Sequence, residues 1–301
     1  AEVADVLKAN KLPHGEIRIV GLVAEEDSGV GVELVGADAL RGDIKVSVDC
    51  TIPNNIDTVA PTMHTGMITI KTITSHPAFF DRQIPNSACA IGAEFMHEAG
   101  FRAAGHPPEH SNIILHAPYV MCGTARGETD PLKLTDFGAP FPKPTRNTVT
   151  PDWVATWQLR SNETTNETAA FVMGLGFKLQ LICNAAAEGR TPVECKITGT
   201  DKPKLIGYVM PLDHPAVKIV GDGFRASPGG DATRFTRSQF GGFNGNRIFS
   251  RFGAQTILTG TGASDFIHTP HETASVKGMT RAAQGLLSAI NESANYRRIS
   301  E

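Results

Sequence analysis

The segment from residue 62 to residue 203 constrains the fold most, because its apolar pattern changes period in a recognisable order. We predict strands at 67–73, 112–119, 151–160 and 193–199, and helices at 86–99 and 163–189. Gly174 and Gly176 favour a break in the second helix. This strand–helix–strand–strand–helix–strand order is that of a ferredoxin-like α+β domain. A proline-rich stretch at 120–146 is too long for a plain hairpin connection and is interpreted as an insertion.

The flanking sequence is interpreted as two parts of a second domain. We predict a helix at 2–10, strands at 17–24 and 44–48, and a closing helix at 273–294. The first strand is nearly all apolar, which is typical of strands covered on both faces in an α/β sheet, and the second is a short buried strand. A helical stretch joins them in a βαβ-like unit. We therefore predict an α/β domain built from 1–61 and 204–301 and interrupted by 62–203.

Composition and charge limit the classes of function. The 301 residues carry a net charge of −3, which argues against a nucleic-acid-binding groove. No apolar run approaches the roughly 18 residues of a membrane span, and the opening AEVADVLKAN lacks the basic leader of a signal peptide. The cysteines form no CxxC pair, and we interpret them as reduced thiols of a cytoplasmic protein: Cys50, Cys89, Cys122, Cys183 and Cys195.

Carboxylates follow both predicted strands of the first domain. Glu25 and Glu26 come directly after the first strand, where two neighbouring ionised groups would repel each other. A bound divalent cation would offset their charge, with one carboxylate as ligand and the other as general base. Asp49 follows the second strand, and functional residues gather at the carboxyl ends of strands in α/β sheets. Solvated turns are the alternative for all three residues.

Histidines near the final helix are further metal-ligand candidates. His268 follows an apolar stretch and is a plausible zinc ligand, and His271 competes with it. Thr269 and Glu272 instead suit the N-cap and capping box of the helix start. Both interpretations can hold, because the cap would position the histidine.

Five other residues could contact a substrate. Arg160 ends a predicted strand and can grip a carboxylate with two hydrogen bonds. Asn147 precedes that strand, and His76 follows the first strand of the interrupting segment. Gly229 and Gly230 would allow a ligand close to the backbone. An ordinary surface or turn position is the alternative for each.

Taken together, these pieces resemble the zinc aminoacylase family of acetylornithine deacetylase, succinyl-diaminopimelate desuccinylase and the glutamate-releasing carboxypeptidases. The matching motifs are Ala24-Glu25-Glu26, Asp49, Ser75-His76-Pro77, Pro85-Asn86-Ser87-Ala88, Asn147-Thr148-Val149-Thr150-Pro151, Arg160, Gly229-Gly230-Asp231-Ala232 and His268-Thr269-Pro270-His271-Glu272. The resemblance implies a zinc-peptidase-like mixed-sheet catalytic domain with an inserted ferredoxin-like lid and dimerisation domain.

The resemblance also implies a role for each matching residue. Glu25 would be the general base toward a zinc-bound water, and His76 would stabilise the oxyanion in the partner subunit of a homodimer. Two divalent metal ions, zinc or else cobalt or manganese, would be held by Glu26 and His268 on one side and Asp49 on the other. Arg160 and Asn147 would hold the substrate carboxylate, and Gly229 and Gly230 would lie along the substrate backbone.

The implied function is hydrolysis of an amide bond in an N-acyl amino acid or small peptide with a free carboxylate. The acyl group and the amino acid stay open. Family members carry an earlier His-x-Asp strand and a metal-bridging Asp that this sequence does not contain, so we expect a chain without the family's N-terminal part. The second hypothesis is a non-catalytic family member that dimerises and binds a ligand without hydrolysis.

Overall fold

The structure is a computed structural model, and the chain divides into two compact units. Unit 1 comprises Ala1–Pro61 and Leu205–Glu301, and unit 2 comprises Thr62–Lys204. The structure describes residues 2–11, 14–23, 30–49, 55–72, 87–101, 113–123, 152–163, 165–188, 192–230, 233–236, 243–261, 273 and 275–295. The insertion expected at 120–146 lies almost wholly outside these residues.

Unit 2 has a ferredoxin-like topology. Its elements are β4 (Thr62–Lys71), α3 (Ala88–Glu98), β5 (Ile113–Gly123), β6 (Asp152–Ser161), α4 (Thr165–Ala187) and β7 (Glu194–Ile197). The strands form one antiparallel sheet in the order β5-β6-β4-β7. The predicted strand–helix–strand–strand–helix–strand domain is therefore confirmed. Its two ends meet, because the Lys204 backbone N–H donates to the Met63 carbonyl at 2.8 Å.

The core of unit 2 follows from the alternating pattern of β6. Every second residue of this strand is buried, including Trp153, Trp157 and Leu159. The two tryptophans lie in one apolar cluster with α3 and α4. Gly92 allows α3 to lie against the ring of Trp153, since a methyl group at this position would overlap the indole. The Trp157 indole N–H donates to the Thr198 carbonyl at 2.9 Å.

The helix α4 is continuous, so the predicted break at Gly174 and Gly176 is wrong. Each helical glycine costs about 1 kcal/mol relative to alanine, but one face of α4 is anchored in the core by Thr168, Val172, Leu175, Leu179 and Cys183. Three large apolar residues on the helix remain exposed: Met173 (58%), Phe177 (68%) and Leu181 (69%). We call Met173, Phe177 and Leu181 the α4 stripe.

Among the described residues, α4 is also the one helix long and apolar enough to cross a membrane by length and composition. Its most apolar window has a mean hydropathy of 1.4. A mostly buried core helix meets the same criterion, whereas α4 packs one face on the sheet of unit 2 and 22% of its window is buried.

A disulfide bond joins α4 to β7. Cys183 and Cys195 are bonded, with their Cα atoms 6.5 Å apart. The interpretation of all five cysteines as reduced thiols is therefore wrong for this pair. Only the packing of α4 on β7 brings the two residues together, and their spacing in the sequence carries no sign of it. Cys89 is a free thiol.

Reducing this disulfide is expected to lower the free energy of unfolding of unit 2. The bond closes a loop with a sequence separation of 12, and loop-closure entropy at this length corresponds to about 3 kcal/mol. Urea unfolding followed by tryptophan fluorescence, with and without dithiothreitol, measures the change, since both tryptophans lie in this core. Cys195→Ser should reproduce the loss and Cys89→Ser should not. An unchanged midpoint on reduction would contradict the prediction.

Unit 1 has a mixed four-stranded sheet. Its elements are α1 (Glu2–Ala9), α2 (Val30–Leu34), a 3-10 helix (Ala37–Leu40), β1 (Val46–Val48), β2 (Asn55–Asp57), β3 (Val59–Ala60), β8 (Tyr208–Val209), α5 (Pro215–Ala226), β9 (Arg234–Thr236), α6 (Phe243–Phe252), β10 (Ile257–Thr259) and α7 (Val276–Asn295). The sheet order is β1-β10-β2-β9, with β1 parallel to β10 and β2 parallel to β9. β3 and β8 form a separate antiparallel pair.

The buried strand predicted at 17–24 is not formed in its described part. Residues 17–23 have no regular secondary structure, and Ile19 and Val23 are 75% and 63% exposed. A strand needs a neighbour to complete its backbone hydrogen bonds, and in the described part of unit 1 β1 pairs with β10 instead. An apolar run alone is therefore not enough to predict a strand at 17–24. The strand predicted at 44–48 is found at β1.

Tyr208 fixes the start of β10. Its hydroxyl donates to the Thr256 carbonyl at 2.7 Å and accepts from the Thr256 backbone N–H at 2.9 Å. Burial raises the pKa of Tyr208, so the hydroxyl keeps the proton that it donates. The residue before β10 is thus held beside β8. The parallel pairing of β1 with β10 brings the carboxyl ends of these two strands together.

Candidate active site

Asp49 lies where two parallel strands of unit 1 end. It follows β1, and its backbone N–H donates to the carbonyl of Thr259, the last residue of β10, at 2.9 Å. Gly260 packs directly on the Asp49 backbone, because a methyl group there would overlap the Asp49 carbonyl oxygen. Asp49 is half-buried. This is the position at which α/β sheets hold functional side chains.

The predicted glycine-rich bend follows α5. Gly229 has a φ of 77°, which favours glycine. Gly230 packs against the Arg225 carbonyl, where a side chain would not fit. The Gly230 N–H donates to Ser227, and the Gly230 carbonyl accepts from Thr233, both at 2.8 Å. The bend is therefore a closed turn as well as a candidate substrate contact.

A small cavity lies beside both features. It has a volume of about 30 Å³ and is lined by Phe224, Thr259, Gly260, Thr261, Gly278, Arg281 and Ala282. Gly260 connects it to Asp49, and one terminal nitrogen of Arg281 lies 3.9 Å from where a Gly229 Cβ would stand. The structure thus brings Asp49 and the glycine bend to the surroundings of one cavity. Arg281 lies on α7 and belongs to no motif, so the sequence does not indicate that it lines a cavity.

Arg160 belongs to unit 2 and lies near the end of β6, an interior strand of the sheet. It stands on β6 opposite Met63 of β4 and Ile114 of β5. The flanking Leu159 and Ser161 are buried on the other face. Burial lowers the pKa of Arg160, although a guanidinium keeps its charge in proteins. Arg160 is therefore not an ordinary exposed surface arginine.

The other predicted site residues lie outside the described residues. These are Glu25, Glu26, His76, Asn147 and His268, together with His271 and Glu272. In the part of the chain that the structure describes, no group of three histidine, cysteine or acidic residues could hold a metal ion. The chemistry of the predicted donors nevertheless fits zinc, which takes carboxylate oxygen and imidazole nitrogen ligands. Asp49 is the one predicted ligand whose placement the structure gives.

No protein-family model matches the sequence, and no curated protein sequence matches it. Solved structures do resemble it. A tripeptidase from Staphylococcus aureus has a TM-score of 0.74 at 20% identity, covering 98% of this chain and 69% of that chain. Aminopeptidase PepT from Bacillus cereus has a TM-score of 0.72 at 18% identity, covering 97% and 68%. Human carnosine dipeptidase 1 has a TM-score of 0.52 at 10% identity, covering 83% and 60%.

At these identities the likeness concerns the fold. The similarity to the tripeptidase and to PepT extends over nearly the whole chain, through both units. The α/β fold class predicted from the sequence, a zinc-peptidase-like mixed sheet interrupted by a ferredoxin-like domain, is confirmed.

Proposed function

We propose that this protein is a metal-dependent hydrolase that cleaves an amide bond of an N-acyl amino acid or small peptide with a free carboxylate. The observation that carries the proposal is the likeness in fold, over 98% of the chain, to a tripeptidase. The position of Asp49 at the adjoining ends of β1 and β10 supports it, because strand ends of this kind hold catalytic groups.

Glu26, Asp49 and His268 are proposed to hold two divalent cations, zinc or else cobalt or manganese. Such ions lower the pKa of a coordinated water and polarise a carbonyl. Asp49 is suited to the task, since its backbone is fixed by the hydrogen bond to Thr259 and by the contact with Gly260. A ligand held in this way loses little freedom when a cation binds.

The remaining residues would divide the reaction between them. Glu25 accepts the proton of the attacking water and returns it to the leaving amine, so that one water is consumed and an acid and an amine are released. His76 donates a hydrogen bond to the oxyanion formed at the carbonyl. Arg160 and Asn147 bind the substrate carboxylate, and Gly229 and Gly230 lie along the substrate backbone.

Metal analysis together with a hydrolysis assay tests the function. The protein, purified at its natural length, is expected to contain zinc, cobalt or manganese by atomic emission. It should release amino acid from tripeptides or N-acyl amino acids and stop doing so after treatment with a chelator. Absence of these metals together with absence of hydrolysis would refute the proposal. Binding of such compounds without hydrolysis would favour the non-catalytic alternative.

Arg160→Gln is expected to raise KM about 10- to 100-fold for substrates with a free carboxylate. A hydrogen bond to a charged group contributes about 1.5–3 kcal/mol, and Arg160 is held in a partly buried position on β6. Steady-state kinetics on a substrate and on its carboxamide measure the effect. The carboxamide should show little change, and the exposed Lys196→Gln of the same sheet is the charge-matched control. Equal losses on both substrates would contradict the assigned role.

Unit 2 is proposed to act as a lid and as the surface of a homodimer. The α4 stripe supports this proposal, since three large apolar side chains in successive turns are costly to leave in water. The disulfide between Cys183 and Cys195 joins the short edge strand β7 to the same helix. A two-fold interface would use the stripe of each subunit.

Phe177→Glu is expected to weaken dimerisation by about 100-fold or more. Burying a phenylalanine contributes about 1.5–3 kcal/mol, and a two-fold interface contains the substitution twice. Sedimentation velocity over a concentration series measures the dissociation constant. Leu34→Glu, an equally exposed apolar position in unit 1, is the matched control. An unaltered dimer in the Phe177 variant would exclude the α4 stripe as the interface.

A further inference from the structure

The guanidinium of Arg281 carries a positive charge that has few partners among the described residues. Its Nε is fully buried and has no hydrogen-bond acceptor. One terminal nitrogen donates to the Thr233 hydroxyl at a long 3.4 Å. None of the salt bridges between described residues includes Arg281. A partly buried arginine with one neutral, weakly bound acceptor is unusual, because such groups are normally paired with a carboxylate.

The side chain of Arg281 borders a cavity. Its side chain lines the 30 Å³ cavity together with Thr259 and Thr261. A cavity of this volume holds about two waters, which is room for two oxygen atoms of an oxyanion. The Gly229 backbone borders the guanidinium at the other side and has no side chain to fill the space.

We propose that this cavity is an oxyanion-binding site in which Arg281 binds a carboxylate or phosphate group. The two terminal nitrogens of an arginine match two oxygens of either group, and the Thr261 hydroxyl can donate to a third atom. The site belongs wholly to unit 1, whereas Arg160 belongs to unit 2. It does not depend on the proposed hydrolysis, because binding is measured without turnover.

Calorimetric titration in an Arg160→Gln background tests the site, since carboxylate binding at Arg160 is then removed. The probes are inorganic phosphate, N-acetylglycine and the uncharged N-acetylglycinamide. Arg281→Gln is expected to weaken binding of the charged probes about 10- to 100-fold. Arg281→Lys should retain part of the affinity, and the exposed Arg41→Gln should retain all of it. The uncharged probe should not bind.

The two charged probes distinguish the source of the oxyanion. Tighter binding of phosphate indicates a site for a free or esterified phosphate, whereas tighter binding of N-acetylglycine indicates a ligand carboxylate. Both results support an oxyanion site. No binding of either probe, or equal binding with and without Arg281, overturns the proposal.

A second measurement covers the case in which Arg281→Gln folds poorly. Arg281→Met keeps the aliphatic stem and removes the charge. In buffer without phosphate or carboxylates, its urea midpoint should equal or exceed that of the wild type, and added phosphate should stabilise only the wild type. A markedly lower midpoint for Arg281→Met would show that the cation already has a structural partner and would overturn the proposal.

Discussion

Replacing Glu25 by alanine is expected to lower kcat by about 10²- to 10⁴-fold while the metal content stays that of the wild type. The proposed reaction needs a base that takes the proton of the attacking water, and Glu25 is the carboxylate assigned to that task. The neighbouring Glu26 is assigned to metal binding, so its replacement should lower the metal content as well as kcat. Steady-state kinetics and atomic emission on the same preparation measure both quantities.

Matched variants make this result specific. Glu26→Ala should lose metal together with activity. Glu33→Gln should change neither, because Glu33 is an exposed residue of α2 that pairs with Arg251 at 2.6 Å. Turnover retained in Glu25→Ala would remove the residue from the mechanism.

Gly260→Ala is expected to weaken metal binding by about 10- to 100-fold, comparable to the loss of a group that orients a metal ligand. The added methyl group would overlap the Asp49 carbonyl oxygen, which is backbone and cannot rotate away. The end of β1 must then shift, and the Asp49 carboxylate shifts with it. Competition with a chromophoric chelator measures the affinity, and circular dichroism reports whether the fold is retained.

Gly36→Ala is the control for this experiment. Gly36 lies in the same unit at a negative φ of −79°, and a methyl group there meets no atom within 4 Å. It should bind metal as the wild type does. Wild-type affinity in Gly260→Ala as well would show that Asp49 is not a ligand.

The sequence predicted unit 2 far better than unit 1, for a physical reason. Strand β6 alternates strictly between buried and half-buried residues, and the face that carries Trp153 and Trp157 is unmistakable in the sequence. Unit 1 instead depends on pairings between distant segments, such as Val46 with Ile257. A three-residue strand has too few residues to show a period, so β2, β9 and β10 are missed, whereas β1 is predicted from the apolar residues around it.

In the candidate site, too, residues marked by their neighbours in the sequence could be predicted, and residues brought in by packing could not. Asp49 was found because it follows an apolar strand, and the glycine bend because glycines mark close approaches. Arg281 was not found, since its significance arises from where α7 packs and not from its neighbours in the sequence. Conversely, the apolar run at 17–24 predicted a strand, and its described part forms none.

The hydrogen bond between Lys204 and Met63 has a consequence for how such a chain can be altered. β3 and β8 pair antiparallel, Ala60 opposite Tyr208, so in topological terms everything between them is the loop of a hairpin. Closing a long flexible loop costs conformational entropy. Unit 2 folds into a domain whose first and last residues are hydrogen-bonded, so its folding already brings the two ends of the loop together. The inserted domain could therefore be exchanged for a short turn, or grafted elsewhere, by cutting the chain at two neighbouring points, after β3 and before β8.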